Sequence, residues 1–166
     1  VNTWWKQSEL QHALASTGTS VLIMVDSYLG NDYIATLEDI GNLQRDLPDL
    51  KHVVSLSERR LPGTLTWGEL IESGHAVPQA LIEAAQADVQ PEDTARLLFT
   101  SGSTSRSKAV RLTHRGHIEN AHGIGERMHL TGQDRVLIPT SMFWSFSCVN
   151  ALFAVLTHGG SLVIMF

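Results

Sequence analysis

At 166 residues, 43% of them hydrophobic and 17% charged, the chain is long enough to bury a core and too apolar for a disordered segment. A net charge of −5 lacks the basic excess that a nucleic-acid-binding face needs, so no nucleic acid is expected as a partner. The single cysteine, Cys148, can close no internal disulfide. It lies in an apolar run and reads as a small buried hydrophobe in a reducing, cytoplasmic setting.

Short apolar runs alternate with amphipathic stretches, the pattern of an α/β fold. A helix is expected over 8–17, with Ser8 and Gln11 at capping-box spacing and Gly18 able to end it. The continuous apolar run 21–25 reads as a buried strand. One helix is expected over 32–47, then a strand over 52–56. Thr66 and Glu69 have capping-box spacing before a short helix ending near Gly74, and 78–87 gives another helix. A polar connector, 90–93, leads into a strand over 96–100, a polar loop, and a second strand over 108–112. Apolar residues resume directly on both sides of the loop, so the two strands should pair. Thr113 is placed to cap a helix running to about Met128. A turn at 131–134, a strand over 136–139, an apolar helix over 146–158 ended by Gly159 and Gly160, and a strand over 161–166 complete the chain. The most apolar stretch, 143–166, is divided by His158, Gly159 and Gly160 into pieces too short to span a bilayer. The chain begins at Val1 and stops at Phe166 within an apolar run, and is expected to be a piece of a longer protein.

The stretch 100–108 carries the chemistry. Its nine residues hold six hydroxyls, one glycine and two cations. Such a loop offers backbone N–H groups, hydroxyl donors and positive charge together, as a polyphosphate requires. Gly102 lets the backbone approach a phosphate closely. A Walker A loop would need glycine at Ser107, Ser or Thr at Ala109, and a helix rather than a strand afterwards. Composition alone favours a Ser/Thr-rich surface turn, since polar loops are common.

The order of residues goes further. Phe99, Thr100, Ser101, Gly102, Ser103, Thr104, Lys108 and Val110 resemble the signature loop of the adenylate-forming superfamily, which includes acyl-CoA synthetases, luciferases and the adenylation domains of peptide synthetases. Residues 112–115 resemble its usual continuation. Ser105, Ser107 and Ala109 depart from a family glycine, proline and glycine. Residues 139–147 resemble the next family motif, with Phe143 and Trp144 at its aromatic pair and Ser147 in place of its glycine. An ordinary core aromatic is the equal alternative for Trp144.

The resemblance implies an α/β fold, part of the large N-terminal domain of an adenylate-forming enzyme, with a mixed sheet flanked by helices. Residues 1–95 would form an α/β lobe before the phosphate loop. Residues 96–166 would hold the loop hairpin, helix, strand, apolar helix and strand. It implies an ATP-dependent ligase of the acyl-CoA synthetase type, in fatty acid metabolism, taking ATP with Mg²⁺, a carboxylic acid, and coenzyme A or a carrier protein's pantetheine. Thr100, Ser101, Gly102, Ser103, Thr104 and Lys108 would bind ATP phosphates, and Phe143 and Trp144 would line or gate the acyl pocket. No catalytic residue is expected within this stretch. The magnesium-binding Tyr-Gly-x-Thr-Glu type motif, the ribose-binding aspartate and the catalytic lysine would lie in the missing remainder of the chain. The fragment alone would be inactive and open to self-association. An adenylation domain loading a carrier protein, or a non-catalytic remnant used for interaction, are the alternatives.

Other chemistry is weaker. His114, His117 and His122 are the closest of eight histidines, but spacings of three and five do not place all three on one helix face. No metal site is expected, and His114 reads as a support for the loop. Ser101 and Ser103 sit in no nucleophile-elbow pattern, which argues against a hydrolase.

Overall fold

In the computed structural model, described for residues 1–100 and 107–165, the chain falls into two compact units. One contains Thr3–Asp88 together with 107–109; the other contains Val1–Asn2, Val89–Thr100 and 110–165.

The first unit opens with α1 (Gln7–Ser16). The Ser8/Gln11 box expected there is not the one that forms. The Glu9 carboxylate instead accepts the Lys6 N–H at 3.0 Å, one turn earlier, because an acid in the first turn meets the unpaired N–H groups of the helix start. Gly18, at φ 58°, ends the helix as expected. β1 (Val21–Met24) follows. β2 (Ser27–Tyr28) and β3 (Asn31–Asp32) are an antiparallel pair around Leu29 and Gly30, both at positive φ, which suits a tight hairpin turn.

The single helix expected over 32–47 is two. α2 (Tyr33–Ile40) is capped by the Asp32 carboxylate, which accepts from Ala35 N–H at 3.0 Å. Gly41 then turns to φ 90°, and the Asn42 side chain caps α3 (Leu43–Asp46) by accepting from Arg45 N–H at 3.0 Å. A glycine followed by asparagine offers both an unhelical backbone and a new cap, and overrides the apolar periodicity running through it. β4 (His52–Ser55) pairs parallel with β1, Leu22 opposite Val53, and β5 (Leu65–Thr66) pairs parallel with β4, giving the order β1-β4-β5. Leu10, Leu14, Leu22, Leu37, Ile40 and Leu47 form the core beneath. α4 (Trp67–Gly74) begins with the expected box: Thr66 Oγ1 accepts Glu69 N–H at 3.0 Å, and Glu69 accepts Thr66 N–H at 2.7 Å. α5 (Gln79–Asp88) closes this unit.

In the second unit, β6 (Thr94–Phe99) pairs with β7 (Ala109–Thr113), as expected of strands flanking a loop. Thr113 caps α6 (His114–Met128), its hydroxyl accepting Gly116 N–H at 3.1 Å. Asp134 accepts from both N–H and hydroxyl of Thr131, at 2.7 and 2.8 Å. These bonds close the 131–134 turn and hold the Asp134 carboxyl below its usual range. β8 (Arg135–Ile138) is parallel to β9 (Ser161–Ile164), Arg135 opposite Ser161. The expected 146–158 helix begins as a π-helix, Phe146–Ala151, and only then becomes α7 (Leu152–Leu156), with Gly159 at φ 72° ending the turn after it. The last strand stops at Ile164, and Phe166 lies outside the described residues. Among the described residues no helix is long and apolar enough to cross a membrane.

Candidate functional site

The polar stretch leaves the end of β6 and returns at the start of β7. The base of this pair is fastened to α6. His114 N–H donates to Asp93 O at 3.1 Å and Arg115 N–H to Pro91 O at 2.8 Å. The Arg115 guanidinium meets the Glu92 carboxylate at 2.7 Å. The connector 90–93 is itself folded by Asp93, whose carboxylate accepts Gln90 N–H at 2.8 Å. His114 thus supports the strand pair through its backbone. Thr100 directly follows β6 and Lys108 directly precedes β7, and both are exposed. Of the expected phosphate-binding residues, Thr100 and Lys108 are described; Ser101, Gly102, Ser103 and Thr104 lie outside the described residues. A strand, not a helix, follows Lys108, so the Walker-type alternative is removed by geometry.

One contact to this stretch has no signal in the sequence. His12, on α1, has its Nε2 3.0 Å from the carbonyl oxygen of Ser107, 95 residues away. Because a carbonyl only accepts, Nε2 carries the proton in that bond. An isolated histidine on an amphipathic helix gives no hint of such a partner.

The second expected site is the aromatic pair. Phe143 and Trp144 rings lie 5.2 Å apart at 43°, in the usual tilted arrangement. Trp144 is 45% exposed, so it is not an ordinary core aromatic. Its carbonyl accepts from Ser147 and Cys148 N–H at 3.1 and 3.0 Å as the π-helix begins. Ser147, which stands in place of the family glycine, is fully buried. Its hydroxyl pairs with the Thr140 hydroxyl and donates to Thr140 O at 3.1 Å. The serine therefore ties the π-helix to the segment after β8. Cys148 is buried and unpaired in any disulfide, as expected.

Behind these residues His117 is 4% exposed, and its Nε2 has no hydrogen-bond partner. Its ring packs 4.2 Å from that of Phe153. Burial, then the nearby Arg96 charge, push its pKa below the usual histidine value. Arg96 lies 5.5 Å over the Phe153 ring and donates to Cys148 O.

Comparison with known proteins gives the family. The family model of AMP-binding enzymes matches residues 1–166. The chain belongs to the AMP-binding enzyme family. Among the family's curated members it is 33% identical over 165 residues to the acyl-CoA ligase SID4 of Ajellomyces capsulatus, covering 98% of this chain and 28% of that protein. It is 39% identical over 163 residues to the acyl-CoA ligase sidI of Beauveria bassiana, with coverage of 98% and 27%. The chain thus spans less than a third of the length of these relatives. The crystal structure of the anthranilate CoA ligase AuaEII in complex with anthranoyl-AMP superposes with a TM-score of 0.77 at 24% identity, over 100% of this chain and 29% of that one. That likeness shows the fold, in agreement with the α/β expectation.

Proposed function

We propose that this chain is the phosphate-gripping part of an ATP-dependent acid–thiol ligase. In the first half-reaction a carboxylate oxygen attacks the α-phosphorus of ATP. The bond to the β-phosphate bridging oxygen breaks, giving acyl-adenylate and pyrophosphate. In the second, a thiolate sulfur attacks the acyl carbonyl and AMP leaves. The thiol is read as that of coenzyme A, because the similar curated proteins are named acyl-CoA ligases; carrier-protein pantetheine is the alternative acceptor.

The observation that carries the reading is a hydroxyl- and lysine-bearing stretch running between two paired strands, with Lys108 at the mouth of β7. Thr100, Ser101, Ser103 and Thr104 would donate to β- and γ-phosphate oxygens, Gly102 would leave room for their approach, and the Lys108 ammonium would offset the charge gathering on pyrophosphate as it leaves. Mg²⁺ would supply further charge neutralisation on the phosphates. The stretch 100–108 contains no carboxylate, so it does not fit as the magnesium site. Phe143 and Trp144 are read as the wall of the acyl pocket. The exposed Trp144 and the half-buried Phe143 offer a tilted aromatic face suited to an apolar chain or ring.

The test is carboxylate-dependent exchange of labelled pyrophosphate into ATP by the full-length protein, with fatty and aromatic acids and with CoA or carrier protein as acceptor. Lys108→Ala should lower kcat/KM for ATP roughly 10- to 150-fold, the loss of one charge-assisted hydrogen bond, with the KM for the acid little changed. Unchanged ATP kinetics would remove Lys108 from the site. The 166-residue chain alone should give no exchange, since positioning both reactants contributes about 7–11 kcal/mol to such reactions and the resemblance assigns the remaining binding groups elsewhere.

A further inference from the structure

The three histidines nearest in sequence do not converge, but one of them meets two other ligand-bearing side chains. His122, Glu126 and His158 each offer an atom lying within 4.8 Å of those of the other two. His122 and Glu126 are one turn apart on α6, and His158 follows α7. All three belong to the same compact unit.

His158 is held in the manner of a metal ligand. Its Nδ1 is 2.8 Å from Ala154 O. That carbonyl can only accept, so Nδ1 carries a proton and Nε2 is left to face outward. Nε2 lies 3.1 Å from Glu126 Oε1. A neutral imidazole would set a lone pair against a carboxylate there. Either a second proton or a cation must sit between them. The His122 ring lies over that of His158, centroids 4.8 Å apart and 16° from parallel. A cation there would be within reach of ligand atoms from all three side chains. A carbonyl that fixes the tautomer of a ligating imidazole is a recurring second shell of metal sites.

The seat of His158 is also made for it. A Cβ on Gly125 would fall 2.3 Å from His158 Cε1 and 2.4 Å from Nδ1. Glycine inside a helix costs about 1 kcal/mol against alanine, yet only glycine leaves the ring its place. The His158 side chain is 8% exposed and that of Glu126 66%, so one ligand is fixed and the others are free to close. Tetrahedral bonds of about 2.0–2.1 Å need ligand atoms roughly 3.3 Å apart. The His158–Glu126 distance already meets that, and rotation of the exposed side chains supplies the rest.

We propose that His122, Glu126 and His158 bind one borderline divalent cation, of which Zn²⁺ is the natural choice for two imidazoles and a carboxylate, with water in the fourth position. The ion would clip the last turns of α6 to the end of α7. The test is titration of the purified, metal-stripped protein with Zn²⁺ by calorimetry, and with Co²⁺ by visible absorption. One equivalent should bind, with the absorption of a four-coordinate site. His122→Ala and Glu126→Gln should each weaken Zn²⁺ binding at least about tenfold, and Gly125→Ala should do the same with every ligand still present. Circular dichroism checks that each variant is folded. Absence of Zn²⁺ binding in the unmodified protein overturns the proposal. So does binding that falls less than tenfold in His122→Ala or Glu126→Gln, which would assign the ion to other histidines. Should Gly125→Ala fail to fold, the two ligand variants decide alone.

Discussion

The two units bury polar groups to different extents. In the one built on β1-β4-β5, a cluster of leucines and an isoleucine dominates the core, with Leu37 at 1% and Leu47 at 2% exposure, and the buried Ser55 hydroxyl is satisfied by the Ser57 backbone. In the one built on β6 to β9, polar groups share the interior with small apolar residues. Ser147 and His117 are buried beside Ala121, Cys148, Ala154 and Val155, and His117 keeps one ring nitrogen unsatisfied. The first arrangement is held by area removed from water, which is non-directional and tolerant. The second depends on individual hydrogen bonds, where one orphaned group costs about 1–3 kcal/mol. Specificity of shape is concentrated in the unit that carries the aromatic pair.

This contrast can be broken most directly at Leu37. Leu37→Ala should lower stability by about 2–5 kcal/mol, the range for emptying a packed leucine site, measured by urea unfolding. A loss under about 1 kcal/mol would mean that the leucine cluster is not the principal support of its unit. A smaller effect is expected at the start of α6. Thr113→Ala removes an N-cap and should cost about 1 kcal/mol, and Thr66→Ala at α4 should cost about the same. A much larger cost at Thr113 would show that its cap also holds the strand pair. The smallest effect sharpens the polar side of the comparison. His117→Leu replaces a buried imidazole by an apolar group of similar size, so above pH 7 stability should hardly change. At lower pH the two proteins should part. His117 has a pKa lowered in the folded state, so the unfolded chain takes up the proton first. The wild type should therefore lose stability as pH falls below about 6.5, the ordinary histidine value, and the variant should lose less. Identical pH profiles would show that His117 is not desolvated in the folded protein.

Much of this fold was legible because it is local. Thr66 and Thr113 announced their helices by spacing alone, and strand, loop and strand around 100–108 followed from apolar residues resuming on either side. The helix break at Gly41 and Asn42 was missed because apolar periodicity runs across it, while the backbone freedom of one glycine and the side chain of the next residue decide the outcome. The loop could be read as a phosphate site from residue order. The contact from His12 to Ser107 could not, since the two stand 95 positions apart and nothing between ties them together. His158 escaped for the same reason: its partners lie more than thirty positions upstream, and a search for neighbouring histidines sees only those close in sequence.

The π-helix at Phe146–Ala151 makes the number of residues, as well as their kinds, a determinant of the aromatic pair. Its hydrogen bonds span five residues where those of a regular helix span four. Side chains before it are therefore turned by about one residue's step, roughly 100°, relative to the frame set by α7. Removing one residue from this wide turn would let the helix run regularly from end to end. It would also swing Phe143 and Trp144 around the helix axis and pull Ser147 from Thr140, with no change in the chemistry of any side chain. Chain length at this one turn is a coarse adjustment of where the aromatic face points, and substitution is the fine one.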